Sequence, residues 1–272
     1  FGPGGTVELA SEVFYKKPIL IQRGSFRPVT RVNEDMMACA NRLFRDINGP
    51  DPTPVTTYEL AMTRLPGNSE VNRTDFLDRI DTLTALGRPV LVSNFFEYFQ
   101  LSSYFRRFTE APIAIIMGIK NLLDVYQEAY YESLEGGILE AMGRLFKDKV
   151  QLMVYPRLSD TGTAFDQERD EALAKGLRAI EPPRSENDAA IITVDNLTVD
   201  PGLKHLHALL VQRGYIRSLD DFDPALLAIF AAEVRQLIEA GDPSWEELVP
   251  TPAVTVIKDR KLFGWAGEVT RD

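Results

Sequence analysis

Cysteine and histidine are almost missing from this chain. Of its 272 residues one is Cys39, and the only histidines are His205 and His207. A lone cysteine cannot close an internal disulfide, which suits a reducing compartment such as the cytoplasm. A structural zinc site of His and Cys ligands is excluded by their number. The two histidines stand as His-Leu-His, and positions i and i+2 of a helix point about 200° apart, so the pair cannot share a metal. No Gly-x-Gly-x-x-Gly, P-loop, His-Glu-x-x-His, Gly-x-Ser-x-Gly or Cys-x-x-Cys pattern occurs.

Long apolar runs and clustered basic residues are missing too. No run approaches the ~18 residues of a membrane span, so no membrane is expected. The most apolar stretches, 112–119 and 224–234, are of core length. The formal net charge is -10 and the pI about 4.9, so the surface repels phosphate backbones. Arg106-Arg107 is too short to make a basic patch, and Asp259 interrupts the cations between 258 and 261. Nucleic acid is therefore not an expected partner. The opening Phe-Gly-Pro-Gly-Gly has no initiator Met and no signal-peptide layout. It reads as a linker or a cut inside a longer protein, with part of any site upstream.

The remainder is ordinary globular composition, 44% hydrophobic and 26% charged. Its clearest stretch is 88–108, RPVLVSNFFEYFQLSSYFRRF. A short apolar run stops at Ser93-Asn94, and an aromatic-rich helical pattern follows. That is the grammar of a buried parallel strand feeding a helix. Similar strands are expected at 19–21, 56–63, 112–117, 150–155 and 190–194. Helices are expected at 33–46, 75–86, 121–126, 132–146 and 165–178. Asn33 is the expected N-cap of the first, and Gly136-Gly137 marks a boundary in the fourth, 132–146. From Pro201 the pattern turns helical, with one helix over 223–241 started by Asp223 and Pro224.

Strands alternating with helices predict an α/β fold: a mostly parallel sheet of about six strands with flanking helices, doubly wound or an incomplete barrel. A helical extension follows at the C-terminus. The composition shift divides the chain into an α/β domain at 1–198 and a helical subdomain at 199–272.

In open parallel sheets, ligands bind outside the carboxyl ends of the strands. The polar residues placed there are Gln22, Arg23, Thr63, Arg64, Ser93, Asn94, Gly118, Tyr155, Asp195 and Asn196. Six of them form the candidate ligand site: Arg23, Arg64, Ser93, Asn94, Asp195 and Asn196. Arg23 and Arg64 can clamp a carboxylate or phosphate through two bonds each. Ser93 and Asn94 offer hydrogen bonds beside a helix start. The expected partner is thus a small anionic ligand; no residue names a cofactor, a metal or a catalytic group. The acidic series Asp124, Glu128, Glu132 and Glu135 reads as a solvated helix face. The aromatic residues at 95–108, spaced by 3, 4 and 7, read as a core stripe.

Three stretches together, LGRPVLVSNFFEYFQLSSYFRRFT, YYESLEGGILEAMGRLFKDKVQLMVYP and GDPSWEELVP with IKDRKLFGW, resemble the C-terminal half of a family of longer bacterial cytosolic proteins. The labels carried by that family include nicotinate-nucleotide adenylyltransferase and TonB-dependent receptor. The resemblance covers most of 15–265 and implies further sequence before Phe1. The first label implies an HxGH-like phosphate motif near a first strand, which this chain lacks. The second implies an outer-membrane barrel, against the strand–helix alternation. No functional residue is carried over from either label.

Two functions follow. The first is an α/β domain that binds a small anionic or phosphorylated metabolite at its strand ends, as part of a transferase. The second is a non-catalytic module that docks an upstream domain or forms a homodimer. The second predicts an exposed apolar patch around Leu226, Phe230 and Trp245.

Overall fold

The computed structural model describes residues 1–62, 73–159 and 190–267. The sheet is built from strands β1 (Ile19–Arg23), β2 (Val55–Ala61), β3 (Val90–Ser93), β4 (Ile113–Gly118), β5 (Val150–Tyr155) and β8 (Ile216–Ser218). They lie in the order β3-β2-β1-β4-β5-β8, all parallel. The two outer strands, β3 and β8, do not pair, so the sheet is open and the barrel alternative falls. The central strands read as near-continuous apolar runs because helices cover both faces, as parallel sheets require; β1 is buried at every position.

Connections place the helices. On one face lie α2 (Arg31–Asn48), α3 (Arg73–Thr84), α8 (Ala231–Ala240) and α9 (Thr251–Arg260). On the other lie α4 (Tyr98–Phe105), α5 (Ile119–Val125), α6 (Gly137–Leu145) and α7 (Lys204–Gln212). A short α1 (Ala10–Val13) precedes β1. The chain winds outward from β1 through β2 to β3, crosses to the other face through α4, and winds from β4 toward β8. Strand order therefore reverses between β1 and β4, which leaves a crevice at their carboxyl ends.

Several elements depart from the sequence pattern. The expected strand at 190–194 is a two-residue β7 (Ile191–Ile192), antiparallel to β6 (Arg157–Leu158) in a separate small sheet. The sixth strand of the main sheet is β8 instead, three residues that follow Gly214 at the end of α7. Residues beyond 198 thus add a strand to the sheet as well as helices to its face. The long helix expected over 223–241 is split into a 3-10 turn, Pro224–Ala228, capped by Asp223, and α8. Ile229 and Phe230 are extended between them; Ile229 packs on the core, and the Arg157 guanidinium lies 5.8 Å from the Phe230 ring centroid. The first helix begins at Thr30, and Asn33 reaches back from its first turn. Gly137, at φ 53°, opens α6, so the glycine pair stands at a boundary. The helical piece expected at 165–178 lies outside the described residues.

The C-terminal segment has no free apolar face at Trp245. That ring is fully buried, packed edge-on against Trp265 at 5.4 Å, and shares one core with Met37, Phe44 and Ile257. Burying such a ring removes 150–250 Å² of aromatic surface from water, about 3 kcal/mol or more. Of the docking patch expected around Leu226, Phe230 and Trp245, Trp245 is core, and Leu226 and Phe230 are half-buried. Among the described residues, no helix is long and apolar enough to cross a membrane.

Candidate functional site

The carboxyl ends of β1, β2 and β3 are joined by one buried network. Arg23 ends β1, and its register partner on β2 is Glu59. The guanidinium donates from Nε to Glu59 Oε2 at 2.5 Å and from Nη2 to Oε1 at 2.9 Å. Ser93, at the end of β3, donates its hydroxyl to the same Oε1. Arg23 Nη1 reaches the Phe96 carbonyl at 3.0 Å, and the guanidinium lies 4.7 Å from the Tyr98 ring centroid. Arg23, Glu59 and Ser93 are all buried. A charge pair this deep persists only with further hydrogen bonds, and the Phe96 carbonyl and the Ser93 hydroxyl supply one to each partner.

The six candidates fare differently. Arg23 and Ser93 converge, but on Glu59 rather than on open space. Asn94 is exposed. It lines, with Leu91, Ser93, Phe95 and Tyr104, a hollow of about 380 Å³ at the outer edge of the sheet. Arg64 lies outside the described residues, as does Thr63. Asp195 and Asn196 follow β7 and stand near β8, three strands from β1: the Val194 N–H donates to Ser218 Oγ at 3.2 Å. Asn196 is occupied locally, accepting from the Thr193 N–H at 2.8 Å and donating to the Ile191 carbonyl at 3.0 Å. Asp195 is exposed; burial first, then its charge, push the carboxyl of Asp220 above the ordinary range.

Strand order reverses between β1 and β4, and Gly118 ends β4 at that point. A Cβ built on that glycine would meet no atom within 4 Å. On the β1 side the loop is tight: a Cβ on Gly24 would stand 2.9 Å from the Phe26 ring. One rim is formed where the loop after β3 meets the turn after α5. Phe96 packs edge-to-face on Tyr130 at 4.9 Å. Glu97, beside it, stands at the N-cap position of α4 without a side-chain capping bond, and its Oε2 is shielded from solvent with no hydrogen-bond partner among the described residues. The Tyr131 hydroxyl donates to the Val125 carbonyl at 2.8 Å. Burial, then its neighbours Tyr98, Glu97, Tyr130 and Asp124, raise its pKa.

The start of α2 forms the other rim. Thr30 donates its N–H to Asn33 Oδ1 at 2.8 Å and its hydroxyl to the same oxygen at 3.2 Å. The Arg31 N–H donates to the Leu248 carbonyl at 2.9 Å. Much of the anion-attracting capacity of this helix start is thus satisfied within the chain. The Arg31 side chain is exposed and makes no bond among the described residues.

The histidines lie elsewhere. His207 is buried on α7, with Nδ1 2.8 Å from the Tyr126 hydroxyl and Nε2 2.9 Å from the Val194 carbonyl; His205 is exposed. Among the described residues, no group of three His, Cys, Asp or Glu could hold a metal ion.

Sequence reasoning missed Glu59, Phe96 and Glu97. A signal for Glu59 was present: one carboxylate inside the apolar-flanked run TTYELAMT asks for a buried partner. Phe96 and Glu97 were absorbed into a helical stripe that in fact begins at Tyr98.

No protein-family model matches the sequence, and a comparison with curated proteins finds no match. Solved structures do match in fold. They include nicotinic acid mononucleotide adenylyltransferase of Plasmodium falciparum complexed with NaAD, at TM-score 0.50 and 10% identity, covering 92% of this chain and 98% of that one. The same enzyme complexed with APC matches at TM-score 0.47, with the same identity and coverage. At this identity the likeness is one of fold. It runs over nearly the whole of that chain, so it does not support the expectation of a C-terminal half.

Proposed function

We propose that this protein binds a small phosphorylated metabolite of nucleotide type in the crevice above Gly118. The observation that carries the reading is the reversal of strand order between β1 and β4, with open space at the glycine that ends β4. Open α/β sheets take their ligands at that point. The rims supply what a ring-bearing ligand needs. Phe96 and Tyr130 give aromatic surface, and the unpartnered Glu97 Oε2 accepts an N–H. The exposed Arg31 guanidinium is a cation for the phosphorylated end.

A solved neighbour of this fold is complexed with NaAD, which agrees with a ligand of that class. Transfer chemistry has less support. A transferase of the adenylyltransferase kind calls for histidine donors to phosphate near its first strand. After β1 this chain places Thr30 and Asn33, closed on each other. The side chains at hand support binding and orientation, and we place the protein among the binders of such metabolites.

A thermal-shift screen with nucleotides, dinucleotides, sugar phosphates and small carboxylates tests this. A ligand at ~100 times its Kd adds about 2.7 kcal/mol, which moves the midpoint of a chain this size by about 5 °C or more. A shift with nucleotides that Gly118→Val removes supports the reading. No shift with any phosphorylated compound at millimolar concentration overturns it.

A further inference from the structure

The segment that carries Phe96 presents a carboxylate as well as aromatic surface. Arg23, the last residue of β1, donates from Nη1 to the Phe96 carbonyl at 3.0 Å. Residues 96 and 97 therefore lie at the carboxyl end of β1. Tyr130 and Tyr131 belong to a 3-10 turn, Glu128–Tyr131, that follows α5, and α5 starts where β4 ends. The contact of Phe96 with Tyr130 thus joins the end of β1 to the connection that leaves β4, where strand order reverses. Glu97 stands next to that contact. Its Oε2 is shielded from solvent and accepts no bond among the described residues. An acceptor cut off from water is costly until a donor reaches it. The charges of Glu97 and of Asp124 on α5 both act on the buried Tyr131 hydroxyl, where burial is the larger cause, and help to hold its proton. The Arg23 guanidinium does not offset them freely, being engaged by Glu59 and the Phe96 carbonyl.

On the reading that a nucleotide binds at this reversal, we propose that Glu97 is its specificity-determining residue. It selects nucleotides whose ring carries an N–H donor, a carboxamide or an exocyclic amine. It turns away those whose ring carries a carboxylate. A carboxylate accepts hydrogen bonds and donates none. An amide N–H set against Oε2 fills the empty acceptor with a charge-assisted bond. A ring carboxylate in the same place sets two like charges side by side with no proton between them. Little water is at hand to screen the pair, and repulsion of this kind is how a site rejects a near-isostere. The ring itself lies against Phe96 and Tyr130, whose surfaces accept either compound. Discrimination therefore falls to the polar group.

Isothermal titration calorimetry with nicotinamide mononucleotide and nicotinic acid mononucleotide tests this. The two differ only in an amide against a carboxylate on the same ring. The parent protein binds the amide about tenfold more tightly or better, the low end for a hydrogen bond to a charged group. The Gln side chain of Glu97→Gln both donates and accepts and carries no charge. In that variant the acid binds better and the ratio falls to about threefold or less. The amide still binds, which shows that the variant keeps a folded site. Equal affinities in the parent, tighter binding of the acid, or an unchanged ratio in Glu97→Gln overturns the proposal and leaves the nucleotide reading standing. Loss of both ligands in Glu97→Gln makes Glu97 a structural residue and also overturns it. Binding of neither mononucleotide to the parent overturns it as well, and the thermal-shift screen with the wider set of nucleotides then decides the nucleotide reading separately.

Discussion

Arg23 and Glu59 stand opposite each other in the parallel register of β1 and β2, joined by two charge-assisted bonds of 2.5 and 2.9 Å. Glu59 is fully buried, and Ser93 on β3 shares its Oε1. The pair therefore fixes the carboxyl ends of three strands at one height. That is where the loop carrying Phe96 and Glu97 leaves the sheet, so the network sets one rim of the crevice.

Removing one partner strands the other. Glu59→Ala leaves the Arg23 guanidinium buried and uncompensated, and about 3–5 kcal/mol of stability is lost. Ser93→Ala removes one bond to a charged group, and about 1.5–3 kcal/mol is lost. Replacing Arg23 and Glu59 together by methionine and leucine costs less than Glu59→Ala alone, because no unpaired charge remains. Urea unfolding of the three variants checks the order; a double variant weaker than Glu59→Ala contradicts this account.

Gly118 is needed for space rather than for backbone freedom. Its φ of -89° and ψ of 169° are extended values that valine adopts readily. Gly118→Val keeps the unliganded melting temperature within about 3 °C, a change of roughly 1 kcal/mol. It fills the crevice, and the nucleotide-induced shift disappears. A variant that still shows the full shift moves the ligand site away from β4.

Cys39 is a structural thiol. It is buried on α2 and donates to the Asp221 carbonyl at 2.8 Å. Burial first, then the Asp35 carboxylate, push its pKa to about 12 from 9.0. At pH 8 the folded protein therefore reacts with a thiol reagent at least tenfold more slowly than the chain unfolded in guanidinium. The pH effect on stability has a definite sign. Between about 9 and about 12 the unfolded chain releases this proton and the folded chain keeps it, so stability falls as pH rises. Cys39→Ala removes that part of the slope, measured as the difference between the two proteins' unfolding curves over this range.

Asn33 closes the start of α2 by accepting two bonds from Thr30. Asn33→Ala frees those donors and costs about 1 kcal/mol, the usual value for a lost helix cap. It also opens the helix start beside the crevice. Equilibrium unfolding checks the stability; an unchanged midpoint shows that water or another side chain takes over the cap.

The strand ends were legible in residues such as Ser93, where an apolar run meets a polar dipeptide, because parallel strands are buried on both faces and stop where water begins. β8 was not legible: three residues, Ile216–Ser218, carry too little pattern to separate from the helix before them. The stretch at 190–194 looked like a sheet strand because apolar, β-branched residues suit any pleated surface. Its partner is β6, in a second sheet, and pairing is decided by what lies alongside.

The amino-acid sequence by itself determined the α/β class, the polar positions at the strand ends, the missing disulfide framework and the absence of a His-and-Cys zinc site. Those follow from local periodicity and from counts, which need no partner. Only the tertiary structure decided that Arg23 and Ser93 meet on Glu59, that Asn196 serves its own turn, and that Trp245 is core. The first and last depend on which residue stands opposite another across tens of positions; the second depends on how the turn at Asn196 closes on Ile191 and Thr193. A guanidinium at a strand end binds a ligand or a carboxylate of its own chain by the same bonds, and register chose the carboxylate. The reversal of strand order beside it, where the proposed ligand site lies, is likewise a relationship between elements rather than within any one of them.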